Sequence, residues 1–126
     1  MIRVENDTKT IHLTRGDKGG INVTAHNYET GEQYYFPAGC EVSFVIVPEK
    51  GYTKGAILRK TVVVSQQTDT VYIPLTEEDT KIGDMIDKKK KYWYNVVVND
   101  DITIIGSDED GEKIVILYPE VGENNE

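Results

Sequence analysis

The run Lys91-Tyr92-Trp93-Tyr94-Asn95-Val96-Val97-Val98, the turn residues Asn99-Asp100-Asp101 and the answering run Ile102-Thr103-Ile104-Ile105 decide the fold class. Both arms are built from β-branched and aromatic residues, and the polar turn between them is too short for anything but a hairpin. A third apolar arm, residues 113–117, follows Ser107-Asp108-Glu109-Asp110-Gly111, so the spacing predicts a three-strand meander. Within an alternating strand Tyr92 and Tyr94 share one face and Trp93 takes the other. Val96-Val97-Val98 and Ile114-Val115-Ile116-Leu117 are apolar on both faces. Strands covered on both sides read this way, whether by an opposite sheet plus a helix or by a neighbouring subunit.

The same cadence runs back through the chain. Ile11 and Leu13 alternate with His12 and Thr14; Arg15-Gly16-Asp17-Lys18-Gly19-Gly20 has turn composition; Ile21, Val23 and Ala25 resume the alternation. The spacing predicts a strand–turn–strand unit here, and its Arg-Gly-Asp tripeptide is read as turn chemistry. Gln33-Tyr34-Tyr35-Phe36 is predicted as a short aromatic strand ending at Pro37. Residues 41–47 form the clearest early strand, with Val42, Phe44 and Ile46 on one face and Phe44 at the centre of the expected core. Further strands are expected over 56–65 and 71–75, the latter terminal or at an edge because of Pro74. Residues 1–9 read as an edge strand or a loose arm. Thr76-Glu77-Glu78-Asp79 carries a capping-box pattern, and Ile82, Met85 and Ile86 continue it at helical spacing, so about two turns of helix are expected.

These runs amount to an all-β chain, an immunoglobulin-like antiparallel β-sandwich of about 8–9 strands with one short helix. It occupies residues 1–119 as a single domain, followed by an acidic tail, 120–126, expected to be disordered.

Composition narrows the function classes. The chain has 126 residues, a net charge of −8 and 29% charged residues, with a mean hydropathy of −0.46 and a pI near 4.8. Phosphate-backbone binders carry a basic face, so nucleic acid is not an expected partner. No run approaches the ~18 apolar residues of a membrane span, and the opening residues lack a signal-peptide pattern. The lone Cys40 excludes an intrachain disulfide. Ser43, Ser65 and Ser107 lie outside any nucleophile-elbow motif, and the two histidines, His12 and His26, pair with no recognisable partner pattern. Asp108-Glu109-Asp110-Gly111-Glu112 resembles part of a calcium loop but lacks the full ligand spacing. No catalytic, cofactor or metal site is therefore expected, and the chain is read as no enzyme. The residues singled out for partner binding are Tyr34, Tyr35, Lys88, Lys89, Tyr92, Trp93 and Tyr94, an aromatic set preceded by cations that keep a strand edge soluble.

Three segments, 10–17 (Thr-Ile-His-Leu-Thr-Arg-Gly-Asp), 35–46 (Tyr-Phe-Pro-Ala-Gly-Cys-Glu-Val-Ser-Phe-Val-Ile) and 91–98, together resemble the N-terminal domain of upper baseplate proteins from tailed phages and prophages of Gram-positive bacteria. Cys40 stands where that family usually has Asp. The resemblance implies a non-catalytic virion structural module that joins a tail, baseplate or fibre complex, with other virion proteins or copies of itself as partners. It would act in the virion, or in the bacterial cytoplasm before assembly. Two alternatives come from other classes: a carbohydrate-binding module using exposed aromatics such as Trp93 or Tyr35, and an acidic inhibitor of a nucleic-acid-binding host factor that uses the carboxylates around residues 100–112 as phosphate mimics.

Overall fold

The computed structural model describes residues 1–5, 8–26, 30–49, 55–82, 88–99, 113–119 and the backbone of 102–105. It is an all-β fold with nine strands and one helical turn among these residues. The strands are β1 (Ile2–Val4), β2 (Ile11–Thr14), β3 (Gly19–Val23), β4 (Glu41–Val47), β5 (Leu58–Val63), β6 (Val71–Leu75), β7 (Lys90–Val98), β8 (Ile102–Ile105) and β9 (Ile114–Tyr118), with α1 (Glu77–Thr80) between β6 and β7. A seven-stranded sheet runs β1-β2-β9-β7-β4-β5 with β8 also on β7, and β3 pairs with β6 in a second sheet.

Register follows from the alternation. Val42, Phe44 and Ile46 stand opposite Val98, Val96 and Tyr94. Tyr92 then aligns with Val115, and Val115 with Ile11. This row forms the inner face of the larger sheet, and it meets Ile21, Val23, Val71, Ile73 and Leu75 of the smaller sheet in one hydrophobic core. Phe44 is fully buried at its centre, in tilted contact with the Tyr94 ring at 5.6 Å. Each such side chain contributes about 1.5–3 kcal/mol by leaving water.

Several sequence expectations are corrected. The predicted unit over 11–25 is not a hairpin, because β2 joins the larger sheet and β3 the smaller. Arg15-Gly16-Asp17 is the crossover between layers, with Gly16 at φ 88°. The buried Thr80 hydroxyl fixes that crossover: it donates to the Asp17 carbonyl at 2.8 Å and accepts from the Gly16 N–H at 3.0 Å. Turn residues tolerate both outcomes, so composition alone cannot separate hairpin from crossover. The aromatic run 33–36 forms only isolated bridges, His26 with Gln33 and Phe36 with Thr68. The meander is a hairpin plus a continuation: β8 and β9 both pair with β7, Ile105 opposite Val96 and Ile114 opposite Trp93. Finally, the sheet is not wholly antiparallel, since β2 and β9 are parallel.

Other expectations are met. β1 pairs with β2 at the sheet's edge, and Pro74 lies in β6, whose one partner among the described residues is β3. The capping box at Thr76 is present, with Asp79 N–H donating to Thr76 Oγ1 and Thr76 N–H to Asp79 Oδ2. Such a cap is worth about 1 kcal/mol. Among the described residues the helix is one turn, Glu77–Thr80; Ile82 is buried as expected, and Met85 and Ile86, on which the expected second turn falls, lie outside the described residues, as do Asp108–Glu112 and the acidic tail.

Candidate functional site

The outer face of the larger sheet collects what the inner face does not use. Because successive side chains alternate, Trp93 points away from Tyr92 and Tyr94, and it sits between Val47 on β4 and Ile114 on β9. The next row brings together Lys91, Ile116, His12 and Arg3, and beyond it Tyr118 aligns with Thr14. Val47 beside Trp93 is fully buried and Asn95 between Trp93 and Val97 is buried, while Trp93, Val97, Ile114, Ile116 and Tyr118 are half-buried. The Lys91 ammonium lies 5.0 Å from the centre of the Trp93 ring, a cation–π contact that leaves the rim charged above an apolar floor. Trp93 Nε1 is shielded from solvent and has no hydrogen-bond partner among the described residues.

A polar relay borders this band. Tyr118 OH lies 2.8 Å from His12 Nδ1, and Glu5 Oε1 lies 3.0 Å from His12 Nε2. With Nε2 protonated, His12 donates to Glu5 and accepts the Tyr118 hydroxyl proton. The Thr8 hydroxyl donates to the second Glu5 oxygen at 2.6 Å. This bond and the His12 contact hold the Glu5 carboxyl below its ordinary range. Hydroxyl, imidazole and carboxylate thus stand in a hydrogen-bonded line across β9, β2 and the segment after β1. The relay ties the first and last strands together. It was not legible in the sequence, because His12 and Tyr118 are 106 residues apart, and only the parallel pairing of β2 and β9 brings them into contact.

The residues expected to bind a partner are divided by the fold. Tyr92 and Tyr94 are buried in the core. Tyr94 donates its hydroxyl to the Lys9 carbonyl at 2.6 Å, and burial pushes its pKa up to about 12. Tyr34 is half-buried, edge-on to Phe36 at 5.0 Å. Tyr35, Lys88 and Lys89 are exposed. Trp93 pairs with the Val47 end of β4, whereas Tyr35 adjoins Phe36, which bridges Thr68 beyond the Glu41 end. Seven residues of β4 separate those ends by roughly 20 Å, so these two aromatics do not form one platform.

No family model, curated protein or solved structure matches this chain.

Elsewhere, a shallow groove of about 390 Å³ follows the end of β5 into β6, lined among others by Val63, Gln67, Thr70 and Tyr72. Tyr72 is 55% exposed, and its ring lies over Gly20 of β3, where any Cβ would come within 2.4 Å of it. Cys40 is buried and unpaired, and burial raises its thiol pKa. Among the described residues no three His, Cys, Asp or Glu side chains gather as a metal site, and no helix is long and apolar enough to cross a membrane.

Proposed function

We propose that this chain is a non-catalytic structural module of a phage or prophage virion, an immunoglobulin-like sandwich that assembles into a tail, baseplate or fibre complex through its sheet surfaces. The observation carrying this reading is the half-buried band of Trp93, Val97, Ile114, Ile116 and Tyr118 on the outer face of the larger sheet, rimmed by Lys91 and Arg3. Apolar floors with charged rims are how assembly interfaces combine burial with register. The layout of two sheets sharing one core, with an early strand joining the last strand, supports the immunoglobulin-like topology. The sequence resemblance to upper baseplate domains supplies the biological setting. A sugar-binding reading draws less support, because Trp93 already carries Lys91 on its ring and Tyr35 stands alone.

The test is to purify phage particles from a producing strain and probe the tail fraction with an antibody to this protein. The protein is expected there in fixed stoichiometry with the other tail components. Particles that are complete and infective without it would contradict the proposal.

A further inference from the structure

The outer edge of β5, unpaired among the described residues, is a second place to look for a contact, and the inference from it rests on the assembly reading above. β5 ends the path of the larger sheet and pairs on one side with β4. Val64 N–H donates to the Cys40 carbonyl, so by alternation Leu58, Lys60 and Val62 aim their backbone groups at β4. Arg59, Thr61 and Val63 aim theirs away from the sheet. Among the described residues nothing pairs with the backbone of Thr61 or Val63.

Three other edges in this fold, those of β1, β6 and β3, are blunted in familiar ways. β1 has three residues, β6 contains Pro74, and β3 starts with Gly19-Gly20. β5 has six residues, Leu-Arg-Lys-Thr-Val-Val, with no Pro, Gly or bulge. Its lysine gives no protection either, because Lys60 turns to the inner side and is held by Asp79 at 2.8 Å. Val63 meanwhile is 64% exposed, the most exposed of the large hydrophobic side chains described.

We propose that β5 pairs antiparallel with β5 of a second copy of this chain, joining two larger sheets edge to edge about a two-fold axis at Thr61. Opposed residues must share a face, so the axis has to pass through a residue of β5. An axis at Lys60 would oppose two ammonium groups, and one at Arg59 two guanidiniums. The axis at Thr61 opposes no like charges: Thr61 meets Thr61 of the second copy, Arg59 meets Val63, and Lys60 meets Val62. Outward-aimed backbone groups at 61 and 63 fall at hydrogen-bonded positions of this register, and the Thr61 pair alone gives two new hydrogen bonds. The groove beside Val63 and Tyr72 runs along the same margin, so the joined edge carries it on both sides of the axis.

Light scattering on the eluting protein should give twice the 14.2 kDa of one chain. Under mild oxidation Thr61→Cys should cross-link to a covalent dimer, and Arg59→Cys, whose equivalents lie four residues out of register, should not. Val63→Lys, placed opposite Arg59 of the other copy, should halve the mass while leaving the circular dichroism spectrum unchanged. Adding Arg59→Glu to Val63→Lys should restore the dimer by opposing unlike charges. A wild-type monomer across the accessible concentration range would overturn the β5 pairing, as would a dimer indifferent to Val63→Lys and uncross-linked through position 61. Either result leaves the assembly reading to the particle experiment: a monomer found in tails retains that reading, and a β5-linked dimer absent from tails removes it.

Discussion

The two faces of β7 carry opposite duties with nearly the same residue types. On the inner face Tyr92, Tyr94, Val96 and Val98 are buried against the second sheet. On the outer face Trp93 and Val97 are only half-buried, although both are as apolar as their neighbours. Hydrophobicity therefore does not sort these two from their inner-face neighbours, and the outer face is itself uneven, since Asn95 between them is buried, as is Val47 beside Trp93. The inner face holds the fold, and the outer face carries the half-buried aromatic and aliphatic band on which the assembly proposal rests.

The sharpest way to break this contrast is a pair of truncations. Phe44→Ala should cost about 3–5 kcal/mol of stability in denaturant unfolding, since it empties the centre of the core. Trp93→Ala should cost under half as much, about 1–2 kcal/mol, because part of that ring is already in water. Equal losses would erase the distinction between the faces.

Next in size is the clamp between the layers. Thr80→Val keeps the shape but strands the Gly16 N–H and the Asp17 carbonyl, and it is expected to cost about 1–3 kcal/mol. A neutral result would mean that the crossover stands without the Thr80 hydroxyl.

A smaller effect appears at alkaline pH. The Tyr94 pKa is raised from 10.0 to about 12 by burial, so the folded state holds this proton more tightly than the unfolded chain. Its stabilising contribution is complete below about pH 10 and is lost as pH rises toward 12. Tyr94→Phe should flatten that decline in a pH series of unfolding midpoints. An unchanged slope would show that the hydroxyl is freely solvated.

The smallest effect concerns the outer relay. Glu5 titrates below its ordinary value because of Thr8 first and His12 second. Its contribution is present above the unfolded value and disappears as pH falls through the lowered one. His12→Phe should move the Glu5 carboxyl resonance titration upward while leaving the core resonances in place.

What could be read in advance follows from range. Local patterns were legible: the capping box from Thr76 and Asp79, the alternation that buries Phe44, and the opposed faces of Tyr92 and Trp93 are all decided within a few residues. Pairings across the chain were not. Nothing near His12 announces Tyr118, and the Arg15-Gly16-Asp17 turn suits a hairpin as well as a change of layer. Gln33-Tyr34-Tyr35-Phe36 has strand composition but bridges through single residues, because propensity describes a side chain's fit to a sheet and not whether a partner strand lies beside it. Of the candidate partner residues, the aromatic character was visible in the sequence. Their division between core and surface required the register.

Trp93 is the chain's single tryptophan, so its fluorescence reports the outer face without interference. The most direct measurement is acrylamide quenching of that fluorescence in the free protein and in a tail complex reconstituted with tryptophan-free partner variants. Quenching is expected in the free protein and should fall several-fold on assembly, as the band around Trp93 is covered. Equal quenching in both states would contradict the claim that this face exists to be joined.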